Sequence, residues 1–228
     1  MCKMKILYFD CTNGISGDMV LKALMTLGKC ENEVSKMMDE ADFTRSHHHD
    51  EHHGHHHGRS FHDVKHIIED SEFSGKAKVY AKAIYQTIAE AEAEVHEATL
   101  ETVHFHEVGR DQAIKNALGI GMALETISPD KIITSSINDG KGTIVCSHGE
   151  IPVPVPAVRA MMRKSAFTFY QVDVETEMVT PSGLAALTGI GAQPEDIEIT
   201  QKTILKSTEA KGGRDTGRGG LKVYIYEE

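Results

Sequence analysis

MKILYFDCTNGISGDMVLKALMTLG, residues 4–28, decides how the rest of the chain is read. Its first six residues form a short apolar run with the look of a buried strand. From Ser16 to Gly28 the apolar residues Met19, Val20, Ala23, Leu24 and Leu27 recur instead at helical spacing. Strand, glycine-containing loop and helix in immediate succession imply an α/β chain, with a mixed α+β arrangement as the alternative, in which a small sheet is packed by several helices.

The pattern continues outward from there. Between Gly75 and Thr99, Ala77, Ala81, Ile84, Ile88, Ala91 and Val95 alternate steps of four and three, which predicts one apolar stripe on a long helix. Further helices are expected from near Phe61, over Gln112–Thr126, from near Pro156, and after TPSG at 180–183. Strands are expected at 131–137, 142–146 and 168–174 and in LKVYIYEE at the C-terminal end, with VHFHEVG (103–109) a strand or extended turn. In HGEIPVPVPAV (148–158), prolines at 152, 154 and 156 remove three backbone donors, so that segment is extended but is no central strand.

The chain has 228 residues, 40% hydrophobic and 25% charged, which suits a globular protein with a sizeable core. A formal net charge of -10 argues against nucleic acid as a partner and suits a protein that gathers cations. The N-terminus reads as a strand rather than a secretory signal, and no apolar stretch is long enough to span a bilayer, so no membrane partner and a cytoplasmic location are expected. Four cysteines without C-x-x-C spacing indicate neither a disulfide framework nor a zinc ribbon.

SHHHDEHHGHHHGRSFHD, residues 46–63, places nine histidines in eighteen positions. Hydrophobic periodicity is lost from about Thr44 to Ser60, which reads as a mobile loop. Eight of the 14 histidines (His47, His48, His49, His52, His53, His55, His56 and His57) fall in it, and neutral imidazole suits nickel, copper and zinc. Many fluctuating ligands make a buffer rather than a fixed site; the alternative is a polar spacer.

Four other places carry chemistry. Asp10 ends the first strand and Asp18 lies in the first turn of the helix after it. The pair reads either as a cation-bridged phosphate loop or as a plain helix-dipole contact. His104 and His106, two apart in an extended segment, would point to one side about 7 Å apart and could converge on an ion, with Glu107 on the other side. Thr180 and Ser182 precede an apolar helix whose first-turn amides suit a phosphate or carboxylate, or are simply capped. Arg214, in KGGRDTGRGG, offers a fork for an anionic group or is solvated.

Taken together, FDCTNGISGDMVLKAL (9–24), the histidine-rich insertion, AEAEVHEATLETVHFHEVG (91–109), GTIVCSHGEIPVPVPA (142–157) and ETEMVTPSGLAAL (175–187) resemble, in this order, the N-terminal part of the LarC nickel-insertion protein family. The resemblance covers nearly the whole chain. It implies one N-terminal domain over residues 1–228 with a mobile histidine-rich loop at about 44–60. It also implies a nickel chelatase or insertase, a lyase, that places nickel in a pyridinium-3,5-bisthiocarboxylic acid mononucleotide and so completes the nickel-pincer cofactor of lactate racemase, with CTP and Mg or Mn. Typical members carry acids near the positions of Gln112 and Asn116, so two carboxylates appear here as amides. Such members also continue into a C-terminal domain linked to CTP use and oligomerisation, absent from this sequence. A separately encoded C-terminal partner, lactate racemase apoprotein downstream and an oligomeric assembly are therefore expected. On this basis Asp10, Asp18, His104 and His106 are placed near nickel delivery. Thr180, Ser182, Gly183 and Arg214 are placed at the mononucleotide phosphate, and the eight loop histidines hold the nickel store. The competing readings are a non-catalytic nickel store or chaperone and an interaction subunit.

Overall fold

The computed structural model describes residues 3–43, 58–146 and 149–228. The first strand, β1 (Lys5–Asp10), is followed by α1 (Gly17–Gly28), α2 (Glu31–Glu40), β2 (Arg59–Ser60), α3 (Phe61–Asp70), α4 (Gly75–Val95) and β3 (His104–Phe105). Next come α5 (Asp111–Ile127), β4 (Lys131–Thr134), β5 (Ile137–Asp139), β6 (Thr143–Cys146), β7 (Gly149–Pro152), α6 (Pro156–Lys164) and β8 (Phe169–Gln171). The chain continues through α7 (Pro181–Gly189), β9 (Gln193–Pro194), β10 (Ile204–Ala210) and β11 (Leu221–Glu227). Among the described residues the main sheet has the order β10-β11-β1-β4-β9. β1 is antiparallel to β11 and parallel to β4.

The fold is α/β, as the opening stretch implies. Alternation along β1 explains the layering: Leu7 and Phe9 join the large core beneath the helices, while Ile6 and Tyr8 join Ile133 and Tyr226 in a small cluster on the opposite face. α1 packs against the sheet and α5. α4 lies against α5, α6 and α7. The stripe read from Ala77 to Val95 is the buried face of α4 as far as Ala91, with Tyr85, Ala89 and Ala93 added to it and Val95 only half-buried.

Several expectations are corrected. Residues 44–57 of the histidine-rich loop lie outside the described residues, but its expected end at Ser60 does not hold. Arg59 and Ser60 pair with Phe105 and His104 as a strand, and Ser60 caps α3 through a reciprocal capping box with Asp63. The strand expected over 131–137 divides into β4 and β5, because Asp196 accepts the Ser136 amide and draws the chain off the sheet. VHFHEVG contributes only His104 and Phe105 to a strand and bends at His106. The sequence pattern does not foresee α2, the two-residue β9 or β10. α2 buries only Val34 and Met38, too few apolar residues to mark a period. β10 is an edge strand exposed along most of its length, without the alternation that reveals a half-buried strand.

The loop after β1 is set by close approach. Gly14 has φ +82°, and a Cβ there would lie 2.3 Å from the Met178 carbonyl oxygen. Gly14→Ala therefore meets both the left-handed backbone and a backbone clash. We expect it to lower stability by about 2 kcal/mol or more, a fall in Tm of about 4–8 °C in a thermal melt.

Candidate functional site

Two helices begin at the same place. Ser16 caps α1 by accepting from the Met19 amide at 3.2 Å, and Thr180 caps α7 by accepting from the Gly183 amide at 3.1 Å. The loops are stitched together: the Ile15 amide donates to the Met178 carbonyl (2.8 Å), and the Thr180 amide donates to the Ile15 carbonyl (3.0 Å). Ser182 Oγ accepts from the Gly17 amide (3.3 Å) and lies 3.1 Å from Thr180 Oγ1. Gly183 permits this approach, since a Cβ there would lie 2.5 Å from the Ile15 carbonyl oxygen. The positive ends of two helix dipoles are thus brought side by side.

Gly17, Thr180, Pro181 and Ser182 form part of the wall of a cavity of about 530 Å³. Its apolar wall comes from α4 and α5 (Ile84, Ile88, Ala117, Ile120) and from Ile144 and Ile151 of the β6–β7 hairpin. Its polar groups are Glu92, His96, His106, Glu107, Asn116, Glu177 and Arg214. The His96 and His106 rings stand 6.2 Å apart, and Glu92 lies 3.4 Å from His96.

Glu177 is the buried carboxyl of the site. Burial pushes its pKa from 4.5 up to about 7. The Arg214 guanidinium, 3.1 Å away, partly offsets that effect, and the negative fields of Asp139 and Glu107 add to it. Asp139, also buried, accepts from the amides of Gly140 (2.8 Å), Met178 (2.9 Å) and Val179 (3.0 Å) through one oxygen, so it fixes the backbone that carries Glu177. Burial raises its pKa, against those three hydrogen bonds.

Of the residues singled out in the sequence, His106, Thr180, Ser182 and Arg214 meet at this cavity; Asp10, Asp18, His104 and Gly183 do not line it. Alternation along β1 puts Asp10 on the sheet face away from the main helical core, where its carboxylate accepts from the Thr12 amide (3.2 Å) and hydroxyl (2.6 Å). Asp18 pairs with Lys22 one turn along α1 at 2.6 Å. His104 faces the start of α3, and its Nδ1 donates to the Thr102 carbonyl at 2.8 Å. The bend at His106 parts it from His104, so the shared side expected of an extended segment is not formed. The amides at 112 and 116 bond each other at 2.8 Å, and Asn116 reaches the cavity. The eight loop histidines lie outside the described residues. Among the described residues no group of three or more His, Cys, Asp or Glu side chains is arranged to hold a metal.

The family model described as nickel insertion protein matches residues 7–219. The chain belongs to that family. It is 37% identical to the pyridinium-3,5-bisthiocarboxylic acid mononucleotide nickel insertion protein of Acetivibrio thermocellus, over 94% of this chain and 58% of that one. It is 35% identical to the protein of the same name from Lactiplantibacillus plantarum, over 99% and 62%, and 37% identical to that of Clostridium kluyveri, over 99% and 63%. This nickel insertion family member thus spans about three fifths of the length of those relatives. No solved structure matches it.

Glu177 and His96 were not singled out in the sequence. A signal for Glu177 existed: an acid directly before the apolar pair Met178–Val179 and a capped helix is positioned for burial. The folded protein keeps the Glu177 proton up to about pH 7, whereas an unfolded glutamate releases it near 4.5. Between those values the folded chain binds more protons, so this residue lowers stability as pH rises. Glu177→Gln removes that loss. Relative to the parent it should gain up to about 3 kcal/mol at pH 8 and little at pH 4, read from denaturant unfolding at the two pH values.

Proposed function

We propose that this chain takes part in nickel insertion into pyridinium-3,5-bisthiocarboxylic acid mononucleotide, making the nickel-pincer cofactor of lactate racemase. The observation that carries the reading is the cavity: apolar side chains suited to a flat ring line it together with two capped helix starts and Arg214, which suit a phosphate. Arg214 and the Ser182 amide at the start of α7 hold the phosphate, and the α4 and α5 side chains hold the ring. Two sulfur donors at ring positions 3 and 5 grip nickel over the carbon between them, and a bond to that carbon displaces its proton. Of the carboxyls in the wall, Glu177, titrating near neutrality, is placed here as its acceptor. Transfer from imidazole to sulfur ligands follows the softer donor set.

The resemblance implies CTP and Mg²⁺ or Mn²⁺ as well. No group of three or more acidic or histidine ligands for such an ion is assembled among the described residues. In this reading CTP use belongs to the portion of the relatives that this chain does not span.

The test is maturation of lactate racemase by this chain with precursor, nickel and CTP, with and without the remaining domain of a relative. Arg214→Ala should raise KM for the precursor about 10–100-fold, the loss of one charge-assisted hydrogen bond to phosphate. Glu177→Gln should lower kcat and remove the rise of rate with pH near 7. Unchanged kinetics in both variants would overturn the placement of substrate in this cavity.

The eight histidines of residues 47–57 favour a second role, nickel storage. Deleting 47–57 should remove most of the bound nickel measured by calorimetry, while maturation recovers when nickel is raised. Failure to recover would make the segment part of the transfer step itself.

A further inference from the structure

α3 buries Phe61, Val64, Ile67 and Ile68 and leaves His62 and His66, one turn apart, on its exposed face. Their Nε2 atoms lie 3.1 Å apart, and the ring centroids lie 4.3 Å apart at 64°. Neither ring lines the cavity described above. Two imidazoles at i and i+4 on one helix face have the spacing with which helical histidines chelate a metal.

We infer that His62 and His66 form a separate dihistidine site that takes a divalent transition-metal ion, nickel foremost, through both Nε2 atoms. With each metal–nitrogen bond about 2.1 Å, donors 3.1 Å apart subtend about 95° at the metal, close to the cis angle of square-planar or octahedral coordination and short of the tetrahedral one. That angle suits nickel and copper, and an exposed pair can open to the tetrahedral angle of zinc. Water completes the coordination, since both side chains are exposed. Before metal enters, a neutral pair at this distance shares one proton as an N–H···N hydrogen bond. On binding, the donor ring carries its proton on Nδ1 instead, so a neutral pair releases none. The surroundings favour a cation. Asp63 stands next to His62 in sequence, and its carboxylate accepts from the Ser60 amide (2.9 Å) and hydroxyl (2.7 Å). Lys65, between the two histidines in sequence, turns its amine over the Phe61 ring (5.5 Å). Glu69 engages Lys82 at 2.8 Å.

Such a clamp ties one turn of α3 and should slow its local opening. The experiment is amide hydrogen exchange on the full chain, titrated with nickel chloride and read by mass spectrometry over residues 61–70. At free nickel ten times the half-saturating value, exchange in α3 should slow about tenfold. His62→Ala and His66→Ala should each abolish that slowing while leaving metal-free circular dichroism unchanged, because both positions are exposed and alanine favours helix. The loop histidines remain in both variants, so bulk nickel uptake does not mimic the result. No nickel-dependent change in α3, or the same change in both variants, overturns the site whatever the outcome of maturation assays.

Discussion

Ile15 is the residue on which the site depends. Its amide and carbonyl both bond to the 178–180 segment, so the loop that leaves β1 and the loop that enters α7 are one ladder rung apart. Everything at the polar side of the cavity follows from that contact. It sets α1 and α7 to start together, places Ser182 on the Gly17 amide and aims Glu177 inward. The contact needs backbones closer than side chains allow, which is why Gly14 and Gly183 flank it. Asp139 secures the opposite side of the rung by accepting the Met178 and Val179 amides, joining β5 to the same segment.

This arrangement explains what the sequence could show. The strand, loop and helix of residues 4–28 and the stripe of α4 were legible, since each buries one face and leaves a period behind. α2 and β10 left none: one buries two residues and the other lies at a sheet edge. Thr180, Ser182 and Arg214 were legible as anion-binding types and do line one cavity. His104 and His106 were read as a pair because a strand alternates. The strand stops at Phe105, and no local pattern announces the bend. Asp10 and Asp18 do not line that cavity. One is on the far face of the sheet, and the other is spent on Lys22. The pairing of Glu177 with Arg214 spans 37 positions of chain and is a property of the fold alone.

The two carboxyls behind the cavity are treated differently, and the difference has a physical cause. Asp139 receives three backbone hydrogen bonds and serves as a fixed acceptor. Glu177 has Arg214 as its charged partner, and that arginine is half exposed and set on a glycine-rich segment. A guanidinium held that loosely offsets only part of the desolvation of Glu177, which leaves the carboxyl near neutrality rather than in the usual acid range.

That loose coupling matters when an anion enters. A phosphate beside Arg214 would compete with Glu177 for the same guanidinium, and each oxygen it captured would weaken the influence that keeps the carboxyl's pKa from rising further. Binding the anion therefore raises the proton affinity of Glu177, which makes its carboxylate a stronger base while a smaller fraction of it is ionised at neutral pH. The same competition makes the ionised carboxylate oppose anion binding, so the two groups select for a ligand that brings a cationic ring along with its phosphate. A pyridinium mononucleotide has both charges, and its cationic ring would share the cavity with the carboxylates of Glu92, Glu107 and Glu177 while its phosphate met Arg214 and the helix starts.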